Sequence, residues 1–255
     1  MKRSILFAAA GALLVSLVPG APPARAAMSV SPAITAAVAD PARPAADRAR
    51  DKYRKPAACL AFAGVQPGMS IAELFPSKGY FTRIFSRVVG PKGHVYEFVP
   101  PPKKAGDPIV VGDIAADPHY DNNITVSIWP VGRLPVREPV DLVWTSQNYH
   151  DLHLTRLHID IAALDAGLFA ALKPGGVFMI VDHAAELGSG TRDTDKMHRI
   201  DENLVKTEMK AAGFVLEDES DVLRNPADTH TLLVFDPAIR GHTDQFVLRF
   251  RKPRS

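Results

Sequence analysis

The chain has a single cysteine, Cys59, among its 255 residues. No internal disulfide is available, so the fold must rest on its core alone. A chain of this length can bury enough surface to do so. Cys59 lies in Ala57-Ala58-Cys59-Leu60. That apolar helical setting reads as a buried thiol rather than a reactive one. Aromatic residues are sparse at 7%, with two tryptophans, Trp129 and Trp144, both beside apolar segments and expected in the core. An excess of either charge is missing too: 30 Lys and Arg stand against 28 Asp and Glu, a formal net charge of +2. Neither a nucleic-acid partner nor an anionic membrane surface is implied.

Long apolar runs are missing except at the start. Lys2 and Arg3 precede the uncharged run Ile5 to Val18, and Ala24-Arg25-Ala26 offers small residues at the −3 and −1 positions of a cleavage site. This is the layout of a secretory signal peptide over residues 1–26, which implies a periplasmic or secreted mature chain. The run falls short of the ~20 residues a membrane-spanning helix needs, so no stable membrane insertion is expected after cleavage. Loss of Lys2, Arg3 and Arg25 takes three positive charges and no acid, moving the net charge from +2 to −1. Residues 27–45, rich in Ala, Pro and Ser, are expected to form a flexible lead-in, and residues 46–255 one domain.

Within that domain, Asp47 to Ala63 has the spacing of one amphipathic helix ending at Gly64. Short apolar strands are expected at 69–74, 94–99, 124–128, 140–145 and 177–181. Helices fall between them at 80–89 and 161–172, and a further helix follows at 200–212. Closing strands are expected at 214–217, 231–235 and 246–250. Alternation of this kind argues for an α/β fold: a mostly parallel central sheet with helices on both faces and an antiparallel C-terminal edge.

The turn sequences, in their order, resemble the class I S-adenosylmethionine-dependent methyltransferases, and within them the exported bacterial branch of predicted methyltransferases. The resemblance runs from about Arg54 to Pro253. It is carried by Gly64-Val65-Gln66-Pro67-Gly68, Gly79-Tyr80-Phe81-Thr82, Val89-Gly90-Pro91-Lys92-Gly93, Asn148-Tyr149-His150-Asp151, Leu172-Lys173-Pro174-Gly175-Gly176 and Phe235-Asp236-Pro237. It implies a Rossmann-like methyltransferase fold, S-adenosylmethionine as cofactor and a small-molecule acceptor. Glu73 then stands at the acidic position ending the first strand, and Gly79, Tyr80 and Thr82 open the helix after the cofactor loop. Glu97 is the acid nearest the end of the second strand, where Val99 takes the place of the family's ribose-holding acid. Phe75-Pro76 stands where the family prefers small residues; proline fixes φ and removes a donor.

Polar residues gather after the later strands: Asn148 to Asp151, then Asp182 and His183, then His198, Arg199 and Asp201. Loops after successive parallel strands meet on one rim. His150 or His183 is expected to serve as general base, with Asp151 or Asp182 orienting the imidazole. The His150/His153 spacing matches no metal signature, and no metal is expected. Gly188-Ser189-Gly190-Thr191 is expected to be a mobile lid. Two functions follow: methyl transfer, or a catalytically degenerate periplasmic module on the same fold that binds a ligand or partner.

Overall fold

The structure, a computed structural model, describes residues 29–254; the proposed signal peptide lies outside the described residues. Seven strands form one sheet: β1 (Ser70–Leu74), β2 (His94–Val99), β3 (Ile124–Ile128), β4 (Val140–Ser146), β5 (Leu172–His183), β6 (Val215–Ser220) and β7 (Gln245–Arg251). Their order is β3-β2-β1-β4-β5-β7-β6. Pairings among β1 to β5 are parallel, and β7 runs antiparallel to both β5 and β6. Strand order reverses between the neighbours β1 and β4. The loops leaving their carboxyl ends therefore diverge and leave a crevice above the sheet.

Nine helices surround the sheet among the described residues. They are α1 (Pro32–Val38), α2 (Ala45–Arg54), α3 (Pro56–Ala63), α4 (Tyr80–Val89), α5 (Gly112–Ala116), α6 (Tyr149–Leu152), α7 (Ile161–Ala171), α8 (Thr194–Met197) and α9 (Glu202–Ala211). Successive strand residues point to opposite faces, so the sheet feeds two cores. Ile71, Val95, Leu142, Trp144 and Met179 pack with α1, α3 and α4 on one face. Ala72, Phe98, Val143, Phe178 and Leu248 pack with α7 and α9 on the other. Cys59 is fully buried in the first core, where burial pushes its thiol up to about 12.

Three local expectations give way. The single helix over 47–63 is two helices, because Lys55 sits at φ 41° before Pro56. Proline disfavours the helical conformation in the residue before it and cannot donate to the preceding turn. The flexible lead-in contains α1, capped by the Ser31 hydroxyl, with Ile34 and Ala37 buried in the core with α3 and α4. Thr231 to Phe235 is not a strand. The segment pairs with no strand of the sheet, and Leu232, Leu233 and Phe235 stay exposed.

Candidate active site

Two connected cavities occupy the crevice. A large one of about 1200 Å³ runs over the ends of β1, β2, β3 and β4, past Phe75, Pro100, Trp129 and Leu152. A smaller one of about 290 Å³ lies between the end of β1 and the rim of β4 and β5, bordered by Arg54, Glu73, Tyr80, His150 and His183. Phe75, Ser77, Lys78, Asn148, Asp151 and His198 border both, so the cavities meet there.

Glu73 and Glu97 are register partners on β1 and β2 and point to the α4 face of the sheet. Thr82 of α4 donates to Glu73 Oε2 at 2.8 Å. Neither carboxylate oxygen of Glu97 finds a donor. The group facing it is the Glu73 carboxyl, to which only a protonated Glu97 can donate. Burial first, then the Glu73 charge, pushes Glu97 well above the ordinary carboxyl range. Burial raises Glu73 to about 7, against the pull of its hydrogen bonds and of Arg54. Burial and mutual repulsion thus favour protonation in this pair.

These raised carboxyls have a pH consequence. A carboxyl raised in the folded state holds a proton that the unfolded chain has already released. Stability therefore falls as pH rises from the usual carboxyl range through about 7. Glu97→Gln removes the like charge while keeping the shape. It is expected to raise stability at about pH 8 by about 1–2 kcal/mol and to flatten the pH dependence. Urea unfolding of both proteins at acidic and alkaline pH checks this; an identical pH dependence of stability would rule the raised carboxyl pair out.

Glu97 borders neither cavity. It points under α4, where strand periodicity also sends Val99, and so cannot stand in for a ribose-holding acid. Gly79 and Thr82 are likewise off the cavity walls. Gly79 caps α4 at φ 75°, and a Cβ there would collide with Ile114 of α5. Glu73 and Tyr80 do reach the small cavity. Sequence reading missed Arg54: its guanidinium lies 4.5 Å from the Tyr80 ring centroid and 4.8 Å from that of Phe81, and donates to Ser146 Oγ at 2.9 Å. Burial lowers its pKa to about 10, so it stays cationic at neutral pH. It also missed Asp113 of α5, an acid on the wall of the large cavity.

The polar cluster after β4 and β5 assembles as expected, with one centre. The fully buried Asp182 accepts from the His150 amide and from His150 Nδ1, each at 2.7 Å, and from the His183 amide at 2.7 Å. Burial works against charge on His150, but Asp182 and Asp151 outweigh it and raise the imidazole to about 10. Burial lowers His183 to about 3 despite Asp182, aided by the charges of His150, Arg199 and Arg54. One carboxylate thus splits two neighbouring imidazoles into a cationic and a neutral one. His183 Nδ1 is held by Thr243 Oγ1 at 2.7 Å, and the residue borders the small cavity.

The supports are drawn from distant segments. Behind α6, the Tyr149 hydroxyl reaches Asp165 at 3.0 Å and Glu208 at 3.1 Å, and His153 reaches Glu208 at 2.9 Å. His153 therefore faces away from His150. Buried Arg199 ties the segment carrying His198 to Asp228 and to the Ala184 and Leu232 carbonyls. Asp201 caps α9 and also accepts from the Gly188 and Gly190 amides. The expected lid is thereby pinned, and none of its residues borders the two cavities.

Neither a protein-family model nor a curated protein sequence matches the chain. Solved structures do match in fold. A putative sarcosine dimethylglycine methyltransferase from Galdieria sulphuraria is similar with a TM-score of 0.56 and 17% identity, over 82% of this chain and 85% of that one. An S-adenosylmethionine-dependent methyltransferase from Mesorhizobium loti gives 0.53 and 18%, over 79% and 99%. A cyclase, SpnF, gives 0.57 and 17%, over 83% and 82%. The sheet order, the single antiparallel strand β7 and these matches establish a Rossmann-like methyltransferase fold.

Proposed function

We propose that the chain transfers a methyl group from S-adenosylmethionine to a small-molecule acceptor. The observation that carries this is the small cavity at the strand-order reversal, where a cationic Arg54 and an acidic Glu73 border one space of about 290 Å³. That donor set suits an amino-acid zwitterion, with the carboxylate toward Arg54 and the ammonium toward Glu73. An incoming ammonium would draw Glu73 into its ionised form. The large cavity, with its apolar walls, would take the nucleoside and the acceptor. The cofactor supplies the activated methyl group. The protein's part is to align acceptor and methyl carbon, exclude water and accept the acceptor's hydrogen bond at His183.

The reading includes export through residues 1–26, so the binding experiment uses the mature chain, whose sequenced N-terminus is expected to be Ala27. Calorimetric titration with S-adenosylmethionine and S-adenosylhomocysteine is expected to show micromolar binding, about −8 kcal/mol. Glu73→Gln and Arg54→Gln should each weaken it about tenfold or more, since each leaves a buried partner unpaired. No heat and no thermal shift at millimolar ligand would sink the proposal.

One observation favours the second reading, a ligand-binding module without methyl transfer. Phe75, at φ 52°, packs against Trp129 at 5.4 Å and narrows the junction of the cavities. The same fold in SpnF belongs to a cyclase, so the fold alone does not choose the chemistry.

A further inference from the structure

We infer that His150, Asp151 and His198 form a binding site for one divalent first-row metal ion, with zinc the best fit. His150 Nε2 lies 3.2 Å from His198 Nδ1 and 3.3 Å from Asp151 Oδ1. The remaining side of the triangle, His198 Nδ1 to Asp151 Oδ1, is 3.2 Å. Three ligand atoms at the corners of a tetrahedron with zinc bonds of ~2.0–2.1 Å are roughly 3.3 Å apart. The corners of an octahedron with the same bonds would be closer, at roughly 2.9 Å. The three side chains therefore already hold the spacing of one tetrahedral face, with two imidazoles and one carboxylate, ordinary zinc donors.

The surroundings fit the same ion. Asp182 grips His150 Nδ1 at 2.7 Å and so directs Nε2 outward as the ligating atom, whose proton the incoming ion displaces, the carboxylate–histidine arrangement found behind metal-ligating imidazoles. Asp151 as ligand and Asp182 behind it provide two negative charges for a doubly charged cation. His198 is held at φ 54°, a left-handed conformation that a residue with a side chain adopts at a cost, and buried Arg199 next to it anchors that backbone. Asp151 and His198 border both cavities. The fourth position of the tetrahedron therefore opens on their junction, where an oxygen-bearing ligand can reach it. The inference stands on these residues whether or not S-adenosylmethionine binds.

The test uses the purified full-length protein, stripped of metal with chelator and then titrated with Zn²⁺ or Co²⁺ alone. One equivalent of zinc retained through dialysis is expected, with a raised melting temperature and, for cobalt, the intense visible bands of a four-coordinate site. Asp151→Asn and His198→Gln, both at partly exposed positions, should each weaken zinc about 100-fold or more. Asp182→Asn should weaken it roughly 10–100-fold through the lost support of His150. His94→Gln, far from the cluster on β2, should change nothing. No retained ion, or equal retention in all variants, would overturn the site. Because neither cofactor nor acceptor is present, that failure leaves the methyl-transfer reading intact, and a failure to bind S-adenosylmethionine leaves this one intact.

Discussion

Asp182→Ala is expected to lower the stability of the fold by about 3–5 kcal/mol, or roughly 10 °C in melting temperature. The carboxylate is fully buried and accepts three hydrogen bonds of 2.7 Å, from two backbone amides and the His150 imidazole. Its own pKa is lowered: burial works against the charge, but His150 and these bonds outweigh it. Removing it strands a buried imidazolium and two amide donors, and the desolvation cost of each goes unmet. The turn after β4 and the end of β5 are joined through this one side chain, so both should loosen together. Asp182→Asn keeps an acceptor in place and should cost about 1–2 kcal/mol. Denaturant unfolding of the three proteins decides the matter. An alanine variant within ~0.5 kcal/mol of wild type would mean that the rim does not depend on Asp182.

How much of this was legible in the sequence depends on how far apart the interacting residues lie. The strands from β1 to β4 could be read because each is an apolar run closed by turn residues, and α4 because Phe81, Ile84, Phe85 and Val88 keep a helical period. The break between α2 and α3 was present in Lys55-Pro56, but an apolar spacing that continued through it hid the break. Thr231 to Phe235 has the composition of a strand, and composition does not record whether the segment meets a partner strand. The polar rim was readable as a set, since parallel strands bring their loops together. Its internal pairing was not: His150 meets His198 across a separation of 48 residues, while the nearer His153 turns to Glu208. Arg54 was invisible for the same reason, because nothing in α2 reveals that it reaches over Tyr80 to Ser146. Gly79 looked like a cofactor contact. The segment that covers it, Val111 to Ala116, has no periodic pattern from which its packing could be foreseen.

His183→Ala is expected to slow methyl transfer on the order of 10²-fold while leaving S-adenosylmethionine affinity within about twofold of wild type. The size follows from the balance at this imidazole. Burial keeps His183 neutral, down to about 3, and with Nδ1 donating to Thr243 the other ring nitrogen is free to accept a hydrogen bond from an acceptor hydroxyl or amine. The same burial makes it a weak base, which puts its contribution at the low end of the 10²–10⁴ range for general base catalysis. Thr243 fixes the ring through Nδ1, so the loss would come from the group itself and not from a loosened loop. Donor binding should survive because Arg54 and Glu73 are held by Ser146 and Thr82, not through His183. S-adenosylhomocysteine release, with an acceptor that the wild type turns over, reads the rate, and calorimetry reads the affinity. Equal loss of both would place His183 in the donor site and leave the acceptor without a proton-accepting partner.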